Sequence, residues 1–181
     1  VFAYAEDPGS IELGGLFPVD QIMLDPGLEG TLEYSLVKAG IPAVTTELGG
    51  SRRFVDEMVE MGVVGNFNVL THYGVIPGPM KETAADRDAF VGNDLETVRA
   101  YAGGFVTLLV ALNDEVKQGQ KIAVQRNGFG DIVHEYRSPA NGRVAIIGTD
   151  AATDRGVEIA TILVKRAECT GDECSYGGIV P

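Results

Sequence analysis

The sequence predicts an α/β layout followed by a small all-β unit, and three observations carry that expectation. Residues 28–78 alternate helical and strand patterns, residues 95–164 consist of short β-forming runs separated by turn signals, and the second stretch contains a weak internal repeat. The elements follow in order. Thr31 caps a short helix with Leu32, Leu36 and Val37 on one side, and Gly40 ends it as a left-handed cap does. Pro42 to Thr46 is a β-branched run that suits a buried strand and stops at Glu47. Ser51 caps a second helix in which Phe54, Val55, Met58 and Val59 recur at helical spacing, leaving Asp56, Glu57 and Glu60 for solvent. A third helix turns Val63, Phe67, Leu70 and Tyr73 inward and ends near Gly74, ahead of Pro77 and Pro79.

Residues 81–94 are polar, mixed in charge and aperiodic, which reads as a linker. The expected division is therefore 1–90 for the α/β part, 91–167 for the β part and 168–181 for a tail. Turn signals at Gly103-Gly104, Asn113-Asp114, Asn127-Gly128 and Asn141-Gly142 punctuate the β part. Within it, residues 113–124 align with residues 150–161, so that Gly119 matches Gly156, Ile122 matches Ile159 and Ala123 matches Ala160. Two such halves build barrel-sandwich domains of the lipoyl and biotinyl type, because neither half alone closes its apolar face. Carrier domains of that type display a modifiable Lys on the connecting hairpin. Here residues 126–131 hold none, and Lys117 and Lys121 lie inside the first half, which disfavours a swinging-arm carrier. A non-catalytic binding or oligomerisation module stays open as an alternative.

Composition narrows the partners. Over 181 residues, 26 acidic side chains against 14 basic ones give a net charge of -12, which repels phosphate backbones and anionic lipid surfaces, so neither nucleic acid nor membrane is an expected partner. No apolar run reaches the roughly 18 residues a bilayer demands. The only two cysteines, Cys169 and Cys174, are too few for a disulfide framework, and a cytoplasmic location is the expectation. The chain opens at Val1 without an initiating Met, which reads as a processed product or a piece of something longer.

Phosphate-cradling loops and a serine-nucleophile elbow are both absent. The most informative stretch is residues 40–50, GIPAVTTELGG. Glu47 stands where its strand runs out, with glycines behind it that let the backbone turn, and a carboxylate held there can accept a proton; it also suits the plain polar end of a strand. That run, with NFNVL at residues 66–70, YGVIPG at residues 73–78 and the order of glycines, Asn and Pro through the β part, resembles the succinylglutamate desuccinylase/aspartoacylase family from about Gly27 to Val164.

The resemblance implies the C-terminal part of a zinc carboxypeptidase-like α/β domain followed by the β domain, and hydrolysis of the amide of a small N-acyl amino acid. It implies that Glu47 is the catalytic carboxylate, taking a proton from a zinc-bound water and passing it to the departing amine. The family's habit also makes a homo-oligomer a candidate state. The family's zinc ligands are a His-x-x-Glu pair and a later His, all upstream of this strand. The chain's two histidines, His72 and His134, follow Glu47 and are trailed three residues later by Val75 and Arg137. The expectation is a chain that lacks the zinc-holding segment, binds no zinc itself and is inactive alone. A separate site from His72, His134, Cys169 and Cys174 has loose spacing and no paired histidine. Arg52 and Arg53, at the expected start of a helix, are candidates to hold a substrate carboxylate, as solvated charges are the alternative. Tyr136, with Arg137, is a candidate to close over the site from the β part.

Overall fold

The computed structural model describes residues 1–50 and 53–166. It contains two compact units, Val1–Asn93 and a second beginning at Asp94.

The first unit opens with β1 (Phe2–Tyr4), α1 (Pro8–Gly15) and β2 (Gln21–Asp25), a parallel pair with its crossover helix. Asp7 caps α1 by accepting from the Ser10 N–H at 2.7 Å, and Pro8 takes the first helical position, where a missing N–H costs nothing. Then follow α2 (Leu32–Lys38), β3 (Val44–Thr45), α3 (Asp56–His72) and β4 (Phe90–Gly92). Thr31 caps α2 through the Tyr34 N–H, and Gly40 takes φ 79° behind it, both as the residue types predict. The sheet runs β3-β1-β2-β4, with β1, β2 and β4 parallel and β3 antiparallel to β1 at the edge.

Three expectations are corrected here. The second and third helices are one: α3 is continuous over 17 residues, and its cap position is Val55, whose side chain makes no capping bond. Glu57 and Glu60 sit in a single helical run with Val63 and Phe67, so no break was needed between them. The inward face is also different. Met61, Gly65 and Asn68 are buried, whereas Val63, Phe67, Leu70 and Tyr73 face solvent. Gly65 decides this, because a Cβ there would stand 2.0 Å from the Phe17 ring, and only a bare helix backbone lets that ring pack so closely. Finally, residues 81–94 are not a bare connection. Ala84 is buried and donates its N–H to the Gly15 carbonyl at 3.1 Å, Arg87 pairs with Asp20 at 3.0 Å, and Phe90–Gly92 completes the sheet beside β2. The core joins Ala3, Phe17, Val19, Ile22, Met61 and Ala84.

Asp25 closes β2 as a buried carboxylate. Burial pushes its pKa up, the Gly27 N–H pulls it down and Glu33 adds to the rise, leaving it at about 6 against an ordinary 3.8. A folded-state pKa above the unfolded one means that folding disfavours the charged form. The contribution of this one carboxyl to stability is therefore fullest below about pH 4 and is lost as pH rises through 6. Asp25→Asn, which keeps an acceptor for Gly27, is expected to be more stable than the wild type by on the order of 1 kcal/mol at pH 7–8, with the gap closing by pH 4. Urea titrations of both proteins across that range check it.

The second unit holds β5 (Asp94–Arg99), β6 (Gly104–Leu108), β7 (Glu115–Val116), β8 (Lys121–Arg126), β9 (Ile132–Arg137), β10 (Gly142–Ile147), β11 (Ala152–Thr153) and β12 (Glu158–Val164). They form two four-stranded sheets, β5-β12-β10-β7 and β11-β6-β8-β9. Exchanging β12 with β8, β10 with β6, β7 with β11 and β5 with β9 maps one order onto the other. The repeat seen in the sequence is thus a structural one: Gly119 and Gly156 take φ 82° and 87° in equivalent turns, and Ile122, Ala123, Ile159 and Ala160 are all buried between the sheets. Each sheet takes two strands from either half of the repeat and contributes one apolar face, and the pair of sheets closes the core.

Candidate functional site

Glu47 lies two residues beyond the end of β3, exposed to solvent. Since β3 runs against β1, with Thr45 opposite Phe2, this end of β3 meets the start of β1 and not its C-terminal end. Electrostatics agree with that placement: burial holds the Val1 amine below its ordinary pKa, and the Glu47 carboxylate opposes the shift. The sequence argument from the C-terminal ends of parallel strands therefore does not carry Glu47; β3 is the antiparallel edge of the described sheet.

The residue after Glu47 enters a groove of about 210 Å³, lined by Leu48, Gly49, Arg53, Phe54, Val55, Met58, Val59 and Gly62. Its apolar floor comes from the first two turns of α3, and Gly62 lets Leu48 approach the helix, a Cβ there standing 3.1 Å from the Leu48 side chain. Among the described residues the groove's one charged lining side chain is the Arg53 guanidinium, which suits a small carboxylate-bearing molecule. Arg53 lies three residues before α3, not within its first turn, so the helix N-terminus does not assist it as expected. Arg52, Ser51, Cys169 and Cys174 lie outside the described residues. Sequence reading missed the groove's floor; the glycine at position 62 of an apolar helix was its signal, since it marks the close approach of Leu48.

Tyr136 belongs to the core of the second unit. It is buried, its hydroxyl donates to Gln125 Oε1 and accepts the Tyr101 N–H at 2.9 Å, so its polar atom is committed inside the fold and not offered to a substrate. Burial of the ring against Ile122 and Val144 explains the correction. Arg137 donates to the Gly119 carbonyl at 2.8 Å. Tyr136→Phe is expected to cost the second unit about 1–2 kcal/mol, because a buried amide oxygen and a backbone N–H lose their partner; thermal unfolding followed by tyrosine absorbance measures it.

The described residues do not fit a catalytic zinc. No group of three or more His, Cys, Asp and Glu side chains among them converges on a point. His72 faces Glu12 at 3.5 Å at the end of α3, and His134 stacks on Tyr101 in β9 with ring centroids 5.1 Å apart. No helix among the described residues is long and apolar enough to cross a membrane.

No protein-family model matches the chain. A curated relative, the N-alpha-acetyl-L-2,4-diaminobutyric acid deacetylase of Halomonas elongata, is 29% identical over 153 residues, covering 80% of this chain and 43% of that protein. Among solved structures, the ectoine utilization protein EutE (DoeB) of Ruegeria pomeroyi superposes with a TM-score of 0.79 at 20% identity, over 91% of this chain and 54% of that one. A succinylglutamate desuccinylase/aspartoacylase of Rhodobacter sphaeroides gives 0.74 at 21% identity, over 92% and 52%. The chain spans about half the length of these relatives. Related in sequence to a deacetylase and alike in fold to a succinylglutamate desuccinylase/aspartoacylase across nine-tenths of its length, the chain resembles that family, as its motifs indicate.

Proposed function

We propose that the chain is part of a zinc-dependent hydrolase that removes the acyl group from a small N-acyl amino acid, and that the residues holding the metal lie outside those described. What supports the reading most is the run GIPAVTTELGG in a chain related to a deacetylase, with its glutamate exposed and the next two residues, Leu48 and Gly49, lining an apolar groove. In this reading the first unit is the C-terminal part of a zinc carboxypeptidase-like domain and the second is a barrel-sandwich. The described residues form no place for the metal, so what can be assigned to this chain is proton transfer and binding. Glu47 takes a proton from the water that attacks the acyl carbon and returns it to the nitrogen as the C–N bond breaks, leaving a carboxylate and an amine. Arg53, with Arg52, holds the substrate carboxylate. Tyr136 has no part in it.

The test measures zinc content and hydrolysis of acetylated and succinylated amino acids on the complete gene product, on its Glu47→Gln variant and on the 181-residue chain alone. Glu47→Gln is expected to lower kcat about a hundredfold while zinc content stays unchanged, as befits loss of a general base. Full activity in that variant, or a complete product that hydrolyses none of these amides, overturns the reading in favour of a non-catalytic module.

A further inference from the structure

We propose that the hairpin joining β8 to β9 is a self-modifying site, in which the side-chain amide of Asn127 is converted to an acid by attack of the Gly128 backbone nitrogen, assisted by the carboxylate of Asp131. The site lies wholly within the second unit and owes nothing to the deacylase reading.

The chain carries two Asn-Gly pairs, Asn127-Gly128 and Asn141-Gly142. A glycine after asparagine has no Cβ, so its nitrogen reaches the neighbouring side-chain carbon with the least hindrance. The sequence does not separate the two pairs, and the fold does. Gly142 begins β10 and packs against β12, where a Cβ would stand 2.2 Å from the Leu163 carbonyl oxygen. Its peptide turns toward Asn141 only if β10 leaves β12. Asn141 is also held across the sheets, its Oδ1 accepting the Gln118 N–H at 2.9 Å. Gly128, by contrast, is exposed at the tip of a hairpin whose second strand, β9, is the edge of its sheet. A Cβ there meets no described atom within 4 Å, and the adjoining Phe129 is 95% exposed. This peptide has room to turn.

Around Asn127 the turn also assembles the groups the reaction needs. Asn127 Oδ1 accepts the Phe129 N–H at 2.9 Å and the Asp131 N–H at 3.0 Å, while Nδ2 donates to Asp131 Oδ2 at 3.1 Å. The bond to Phe129 closes a ring that contains both the side-chain carbon and the Gly128 nitrogen, so electrophile and nucleophile belong to one turn. Two N–H donors on Oδ1 polarise the amide and stabilise the negative charge that this oxygen takes on in the tetrahedral intermediate. Asp131 touches the leaving nitrogen, where it can deliver a proton. As the bond from Gly128 N to Asn127 Cγ forms, the proton of that N–H passes by way of Asp131 to Nδ2. The Cγ–Nδ2 bond breaks and ammonia departs, leaving a cyclic imide. Water then opens the ring at either carbonyl, giving aspartate or isoaspartate at position 127. No oxidant or reductant takes part.

The product hairpin differs from its parent. A carboxylate oxygen replaces the Nδ2 donor opposite Asp131 Oδ2, so a hydrogen bond becomes a contact between like charges, and isoaspartate adds a carbon to the main chain. Both changes loosen the tip that carries Phe129.

The experiment incubates the purified 181-residue chain at neutral pH, folded and in strong denaturant. It follows ammonia release and, by peptide mapping with fragmentation that separates aspartate from isoaspartate, the acid content at positions 127 and 141. In the folded chain position 127 is expected to convert at least about tenfold faster than position 141, and in denaturant the two are expected to agree within about threefold, because the turn and the sheet are then gone. Asp131→Asn is expected to slow conversion at 127 about tenfold and leave 141 unchanged, and Asp131→Glu, which keeps a carboxylate, to restore part of the rate. Amide exchange through β8 and β9 checks that each variant keeps its hairpin. Asparagine retained at 127, equal rates at the two positions in the folded chain, a preference that persists in denaturant, or an Asp131→Asn chain that converts as fast as the wild type overturns the proposal.

Discussion

Gly142→Ala is expected to destabilise the second unit by about 4 kcal/mol, while leaving the first unit's amide protection unchanged. A Cβ at position 142 would stand 2.2 Å from the Leu163 carbonyl oxygen and 2.8 Å from the Ile162 side chain. Both belong to β12, and Ile162 is fully buried. The clash is with backbone in the centre of a sheet, so no rotamer change relieves it, and the pairing of β10 with β12 must open. Overpacking by one methyl ordinarily costs about 1–3 kcal/mol, and contact with an immobile carbonyl places this site at or beyond the upper end. Hydrogen exchange resolved by segment is the measurement. Accelerated exchange through β10 and β12 with α3 unaffected is the expected pattern, and a variant as protected as the wild type would falsify the packing argument.

Asn68→Ala is expected to cost the first unit about 3 kcal/mol. Asn68 is buried in α3, and its amide nitrogen donates to the Leu16 and Glu82 carbonyls, both at 2.8 Å, while its oxygen accepts the Lys81 N–H at 2.8 Å. One side chain thereby ties the helix to the turn after α1 and to the segment leading into β4. Removing it strands three backbone groups, each worth about 1–3 kcal/mol when buried without a partner, and part of that is recovered where the 81–82 segment relaxes into water. Asn68→Asp keeps the acceptor but gives up the amide donor to two carbonyls, and is expected to be no better. Chemical denaturation with exchange at Ala84 and Ala89 as local probes distinguishes loosening of the 81–94 segment from global unfolding; unchanged stability in both would show that the clamp is dispensable.

How much of this was legible beforehand depends on how far apart the interacting residues are. The Thr31 cap and the Gly40 terminus involve atoms within about one helical turn, so their residue types suffice. The twofold repeat was legible for a similar reason, since each β-turn-β half carries its own glycine turn and its own pair of inward Ile and Ala residues. Glu47 was visible as the polar residue ending a β-branched run, and the groove that Leu48 and Gly49 enter was not, because its floor comes from Met58, Val59 and Gly62 on another element.

By itself, then, the sequence determined the two classes of element, the caps and turns between them, the acidic surface and the motif around Glu47. Only the tertiary structure decided the direction of β3, the inward face of α3, the burial of Tyr136 and the role of residues 81–94. The direction of β3 follows from pairing with β1, some 40 positions away in the chain, and a two-residue strand has no pattern that states it. The face of α3 follows from shape: apolar residues occupy both sides, so periodicity is silent, and the missing side chain of Gly65 admits Phe17 on one of them. Tyr136 alternates with exposed neighbours as any strand residue does, and Gln125, on the strand beside it, is what satisfies its hydroxyl and lets it be buried. In each case the deciding contact joins residues that local preference cannot see together.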